Sequence, residues 1–180
     1  MSDDVLTGGA GMPDPWQRLW APHRMEYLSG ENRPLPDNEV PCPFCRIPTL
    51  EDRAGLIVAR GIDAYVVMNL YPYNAGHLLV CTYRHVADLT DLTESERNEI
   101  SAMTAQAMRT LRKVSHAAGF NLGMNQGAVS GAGVAAHIHQ HVVPRWSGDA
   151  NFMPIIGETK VLPQLLERTR DDLAASWNLS

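Results

Sequence analysis

His137-Ile138-His139-Gln140-His141-Val142-Val143 carries an imidazole at every second position over five residues and then runs into an apolar pair. Residues two apart on a strand point to the same face at about 6.6–6.8 Å spacing, so this pattern predicts a strand showing three imidazoles on one face over about 13 Å. Ile138 and Val142 then face the opposite side and require packing, while Gln140 between them requires an edge or a partly wet position. A lone histidine on a strand is ordinarily a satisfied structural residue. Three in register are costly to bury, because each ring N–H needs its own partner. Two chemistries fit the triplet: zinc chelation by strand-borne imidazoles, or one imidazole acting as a nucleophile that its neighbours position. Neutral imidazole suits attack on phosphorus near pH 7, because an ordinary pKa of about 6.5 leaves much of it unprotonated.

Immediately upstream, Gly127-Ala128-Val129-Ser130-Gly131-Ala132-Gly133 forms a loop of small residues whose backbone N–H groups can line a concave, anion-accepting turn. Further upstream, Leu56-Ile57-Val58, Ala64-Tyr65-Val66-Val67-Met68 and His77-Leu78-Leu79-Val80 are short β-rich runs separated by Gly61-Ile62-Asp63 and by Tyr71 to Gly76. Thr93 with Glu96 forms a capping box, and Ile100, Met103, Ala107, Leu111 and Val114 make one apolar stripe that predicts a helix ending at Gly119. Phe120 to Asn125 is expected as a strand, and Pro163 to about Trp177 as a second helix. Strands that precede a helix and resume after it, joined by hairpin-length links, predict an α+β domain: an antiparallel sheet of about five strands with two main helices.

The chain has 180 residues, of which 44% are hydrophobic and 19% charged, which fits one ordinary globular domain. Residues 1–15 are rich in Gly, Asp and Pro without periodicity and are expected to form a disordered tail. Residues 16–180 are expected to form the single domain, with 16–43 as an N-terminal extension and 44–180 as the core. In the extension, Trp16, Leu19, Trp20, Met25 and Leu28 recur at near-helical spacing. A formal net charge of -5 gives no basic field for nucleic acid. No run approaches the roughly 20 apolar residues that span a bilayer, and the first residues lack a signal-peptide pattern, so the expected location is cytoplasmic. Cys42 and Cys45, in Cys-Pro-Phe-Cys, have the spacing of a metal site or redox pair, the alternative being two free thiols in a loop. Cys81, in an apolar run, is expected in the core. Trp146, five residues beyond His141, suits either packing or a ligand or subunit contact.

The histidine stretch resembles the triad motif of the HIT superfamily, His-φ-His-φ-His-φ-φ with φ apolar, which marks nucleotide hydrolases and transferases. Val67-Met68-Asn69, Pro72 and Gly76-His77-Leu78-Leu79-Val80 resemble its ribose-binding and Gly-His strands. Trp16 to Tyr27, Asn69 to Gly76 and Pro144 to Phe152 look like the diadenosine tetraphosphate phosphorylase branch of that superfamily. The resemblance implies that His139 is the nucleophile and forms a nucleotidyl-imidazole, that His141 stabilises a phosphate oxygen, and that His77 and His137 orient the nucleophile. It implies ribose contacts from Asn69, whose other role would be a turn-forming Asn. It also implies contacts to the scissile bridge from Asn125 and Gln126, and backbone contacts to phosphate from Gly131, Ala132 and Gly133. The implied reaction is phosphorolysis of diadenosine tetraphosphate to ADP and ATP, with inorganic phosphate as co-substrate and no organic cofactor. The alternative is a HIT hydrolase that uses water. A zinc-stabilised nucleotide-binding module without a nucleophile is the non-enzymatic alternative, and the intact His139 weighs against it.

By the same resemblance Cys42, Cys45, His85 and His137 would hold a structural zinc, and the sheet would continue across a homodimer, with no nucleic-acid or membrane partner. Two positions depart from the pattern. Gln140 replaces an apolar residue, and Gly133 stands where relatives carry a side chain that reaches the phosphate bridge.

Overall fold

A computed structural model describes residues 42–149 and 164–177. The expectations for the 1–15 tail, the 16–41 part of the extension and the start of the last helix at Pro163 lie outside these residues. The first described element is a single helical turn, α1 (Pro43–Arg46), which Pro43 opens with its fixed φ and Ile47–Thr49 extends as a 3-10 turn. Strands β1 (Ile57–Arg60), β2 (Ala64–Met68) and β3 (Leu78–Thr82) follow. Helix α2 (Glu94–Ser115), strand β4 (Gly119–Gly123), strand β5 (His139–Arg145) and helix α3 (Leu166–Ala175) complete the order. The sheet runs β1-β2-β3-β5-β4, and every adjacent pair is antiparallel.

β2 and β3 are buried along their whole length because both faces of the sheet are covered. One face carries Val66, Met68, Leu78, Val80, Ile138 and Val142 against Ile100, Met103, Ala107 and Leu111 of α2 and Leu173 of α3. The other carries Ile57, Tyr65, Val67, Leu79 and Cys81 beneath Phe44 of α1. The helices thus occupy one face, and the histidines are left the other.

α2 begins as expected: Thr93 Oγ1 accepts the Glu96 N–H, and the Glu96 carboxylate accepts the Thr93 N–H. It ends at Ser115 rather than Gly119, because His116 takes the left-handed cap conformation at φ 54° and leaves Gly119 to open β4. β4 correspondingly stops at Gly123, short of Asn125. β5 starts at His139 rather than His137, since the ladder with β3 closes at the Cys81–His139 pair. Among the described residues, no helix is long and apolar enough to cross a membrane.

Candidate active site

In the β3–β5 register His141 lies opposite Leu79 and His139 opposite Cys81, so the two imidazoles share the Phe44 side of the sheet. Both are buried. Gln140 points the other way, as expected, and is half-buried with its amide donating to the Gly123 and His141 carbonyls. His77 enters the same site from the turn before β3. Gly76, at φ +73°, makes that turn, and a Cβ there would lie 3.1 Å from Leu111. The expectation of three imidazoles in one strand register needs correction at His137. That residue precedes the strand; its ring stays on the Phe44 side with His139, but its Nδ1 faces the two cysteines.

Hydrogen-bond partners fix which ring nitrogen of each histidine carries its proton, because a backbone carbonyl can only accept and an amide N–H can only donate. The Tyr73 backbone N–H donates to His77 Nδ1 at 3.0 Å, and the Asn69 amide Nδ2 lies 3.2 Å from the same nitrogen. His77 Nδ1 is therefore the acceptor, and Nε2–H donates to His141 Nδ1 at 2.9 Å. His141 must then carry its own proton on Nε2, an atom that is buried and has no hydrogen-bond partner among the described residues. For His139 the order is reversed. Its Nδ1–H donates to the His137 carbonyl at 2.9 Å, which leaves Nε2 with a free lone pair.

Burial is the main cause that pushes the pKa of both rings down, because it penalises the imidazolium; His141 falls to about 4, with a positive His139 opposing its charge further. Near pH 7 the pair is thus one unprotonated nitrogen beside one unsatisfied N–H, with ring centroids 4.9 Å apart. Such a pair can attack an electrophilic centre and donate to the charge that develops on it.

The cysteine turn sits next to this pair. α1 folds Cys42 and Cys45 onto one side, since Cys45 N–H donates to the Cys42 carbonyl. Cys45 Sγ lies 3.2 Å from His85 Nδ1, and His137 Nδ1 lies 3.4 and 3.5 Å from the sulfurs of Cys42 and Cys45. All four ligand atoms fall within 4.8 Å of one another. Tetrahedral zinc with Zn–S of about 2.3 Å and Zn–N of about 2.0–2.1 Å sets its ligands about 3.3–3.8 Å apart, so the set fits. His137 donates Nε2–H to the Thr82 carbonyl at 2.9 Å, which frees Nδ1 as the ligating nitrogen. His85 is held through its neighbour: Arg84 pairs with the α2 cap residue Glu96 and donates to the Asp91 carbonyl. That guanidinium holds the Glu96 carboxyl down at about 2. Phe44, between the cysteines, packs its ring on both His137 and His139.

The remaining predicted residues divide. Asn69 contacts His77 and also accepts the Tyr71 N–H in a local turn, which is the turn-forming role weighed for it. Gly131 and Ala132 are half-buried and Gly133 exposed in the loop before the triad, which bends through Gly127 at φ 77° and Gly131 at φ 83°. Asn125 is half-buried between β4 and this loop. Gln126 is drawn elsewhere, its Oε1 accepting the Leu89 N–H at 2.6 Å. Trp146 packs against the helix-side core and donates Nε1–H to the Ser115 carbonyl at the end of α2, away from the histidine face. Cys81 is fully buried, as expected, and burial pushes its thiol up. Sequence reasoning missed Phe44 and Tyr73. The signal for Phe44 was its place between the two cysteines, and for Tyr73 its place in the turn that delivers His77.

A family model described as HIT domain matches residues 55–148. The chain is 51% identical over 176 residues to the AP-4-A phosphorylase of Mycobacterium tuberculosis, an alignment spanning 96% of this chain and 90% of the relative. It is 32% identical over 110 residues to the asymmetrical bis(5'-nucleosyl)-tetraphosphatase of Schizosaccharomyces pombe, covering 61% of this chain and 57% of that one. A Zn-bound histidine triad family protein from Mycobacterium smegmatis superposes with a TM-score of 0.61 at 27% identity, over 76% of this chain and 93% of the other.

Proposed function

This chain belongs to the HIT domain family, and on that premise we propose that it cleaves diadenosine tetraphosphate by phosphorolysis, giving ADP and ATP. The observation that carries this is the complementary protonation of two adjacent rings, a lone pair on His139 Nε2 beside an unpartnered N–H on His141 Nε2. His139 Nε2 attacks the α-phosphorus. A P–N bond forms as the bridging P–O bond breaks, and that electron pair leaves on ATP. An oxygen of inorganic phosphate then attacks the same phosphorus, the P–N bond breaks back onto His139, and ADP departs. His141 donates to the non-bridging oxygen as charge builds on it. Asn69 bonds the ribose, and the backbone N–H groups of Ala132 and Gly133 hold the polyphosphate, the Gly131 N–H being donated to the Ala128 carbonyl. The 51% identical relative named AP-4-A phosphorylase supports this substrate and this acceptor.

A zinc ion on Cys42, Cys45, His85 and His137 would be a closed, four-ligand structural site that leaves no open position for substrate. The Zn-bound solved relative supports that identity. His137 then serves the reaction through its backbone, whose carbonyl orients the nucleophile. The sheet ends at β4, where Asn121, Leu122 and Gly123 are exposed, and this open edge supports a homodimer that continues the sheet. Light scattering at micromolar concentration would return twice the chain mass for a dimer, and a monomer mass would end that part of the proposal.

The direct test incubates the protein with diadenosine tetraphosphate, with and without phosphate, and resolves the products. ADP plus ATP, formed only with phosphate, is the expected outcome. AMP plus ATP without phosphate would assign water as the acceptor, and no turnover would refute an enzymatic role. His139→Ala should abolish turnover while nucleotide binding persists.

A further inference from the structure

The protonation order in the site has to start somewhere, because a chain of neutral imidazoles can be threaded in either direction. His77 and His141 form such a chain, and reversing both protons would leave His141 Nε2 a bare lone pair in a ring adjacent to that of His139. The starting point is the Tyr73 backbone N–H, which cannot reverse and which points at His77 Nδ1. The same residue lays its ring parallel to His141, with centroids 5.4 Å apart and planes 14° from parallel, and 4.7 Å from the His77 ring.

We infer that Tyr73 is a positioning residue whose backbone N–H sets the tautomers of His77 and His141 and whose ring holds the His141 plane, so that a donor faces the reacting phosphate.

The turn that presents Tyr73 is built for a fixed position. The next residue, Asn74, is buried and donates its amide to the Pro144 carbonyl at 2.9 Å and to the Asp149 carboxylate at 2.7 Å. Arg145 grips the same carboxylate through two nitrogens. Pro144 lies in β5 beyond His141 and Asp149 follows the end of that strand, so the turn carrying the N–H that sets the tautomers is tied to the strand that carries the ring receiving them. On the other side, Asn69 fastens the start of the turn through the Tyr71 N–H. A tautomer preference imposed by a covalently fixed backbone donor does not depend on pH or on substrate, unlike one imposed by a titrating side chain.

This inference rests on the role given above to His141, and the first test does not involve catalysis. Long-range proton–nitrogen correlation spectra of 15N-histidine-labelled protein read which ring nitrogen carries the proton. The expected pattern is Nε2–H at His77 and His141 and Nδ1–H at His139. Nδ1–H at either His77 or His141 would overturn the inference, whatever the enzyme does. Tyr73→Ala keeps the N–H but loses the stacked ring, so the tautomers should hold while kcat falls about tenfold. Tyr73→Pro loses both, and a second set of His77 and His141 signals should appear with kcat down about a hundredfold. Identical spectra and kcat for the Pro and Ala variants would refute the backbone role. Wild-type kcat for the Ala variant would refute the ring role. If the tautomers are as stated but no dinucleoside polyphosphate is cleaved, the proposed function fails and the positioning role stands.

Discussion

His141→Ala separates donation from packing at the site. The wild-type ring accepts from His77 Nε2–H and leaves its own Nε2–H without a protein partner. Removing a preorganised donor of this kind lowers kcat about 100- to 1000-fold, or about 3–4 kcal/mol of transition-state stabilisation. The ground-state cost differs in kind. His77 Nε2–H loses its acceptor in a buried position, which costs about 1–3 kcal/mol of stability, and a chain of this size loses roughly 2–4 °C in Tm for each kcal/mol. The variant should therefore melt about 2–12 °C lower yet remain folded at 25 °C. A single-turnover experiment with enzyme in excess over diadenosine tetraphosphate isolates the first displacement from product release. A loss of 100-fold or more in that step, with KM little changed, is expected. Cleavage within about threefold of wild type, together with the same fall in Tm, would show that His141 only packs and would remove its donor role.

Other perturbations have equally definite outcomes. The folded His141 sits near pKa 4, against about 6.5 for an unfolded histidine, with His77, His139 and Tyr73 as the groups facing it. Its neutral form is favoured by folding, so the associated stability is complete above about pH 6.5 and is lost as pH falls through 4, by up to about 3 kcal/mol. Urea midpoints measured at pH 7.5, 5.5 and 4.5 should fall in that order, and a flat profile would contradict the burial argument. Cys45→Ala removes a sulfur that lies 3.2 and 3.5 Å from two imidazole nitrogens. Zinc measured by atomic emission should drop from about one per chain to near zero, whereas His139→Ala should keep it; retention in the cysteine variant would reject the four-ligand set. Trp146→Phe loses the bond to the Ser115 carbonyl and should lower Tm by a few degrees while KM for diadenosine tetraphosphate stays within about twofold. A KM rise of tenfold would return Trp146 to the substrate.

What could be read from the sequence was local, and what could not was long-range. The limits of β2 follow from the apolar run Ala64 to Met68 itself, and the Thr93–Glu96 capping box needs only residues three apart. Period two places His139 and His141 on one face wherever β5 pairs. Period two could not show that β5 starts only at His139, nor that the His137 ring is held by sulfurs 92 and 95 residues away and by the Thr82 carbonyl. The partner of Gln126 was hidden for the same reason, its Oε1 accepting a backbone N–H 37 residues distant. The end of α2 was misplaced because a histidine took the left-handed cap usually given to glycine. Matching the Cys-x-x-Cys to His85 and His137 depended on family resemblance, since neither the β3 register nor the Arg84–Glu96 pair that holds His85 is visible in spacing.

The chain carries a net charge of -5, yet its proposed substrate is a polyanion. Cationic side chains would be the obvious means of gripping phosphate, but they are poorly suited to stand beside this nucleophile. A positive charge about 5 Å from His139 would withdraw basicity from the lone pair that must attack phosphorus, and the two charges would resist a shared burial. Neutral donors avoid the conflict. In the proposed mechanism His141 Nε2–H and the backbone N–H groups of Ala132 and Gly133 would offer protons to the developing charge without drawing on the lone pair of His139. The requirement that follows is directional rather than electrostatic. A neutral imidazole stabilises a phosphate oxygen only if the correct nitrogen bears the proton, so the site depends on its hydrogen-bond order, from the Tyr73 N–H through His77 to His141 and, separately, from His139 to the His137 carbonyl. Both orders end on backbone groups. Under the proposed mechanism the fold itself, rather than a charged side chain, determines which ring attacks and which ring donates.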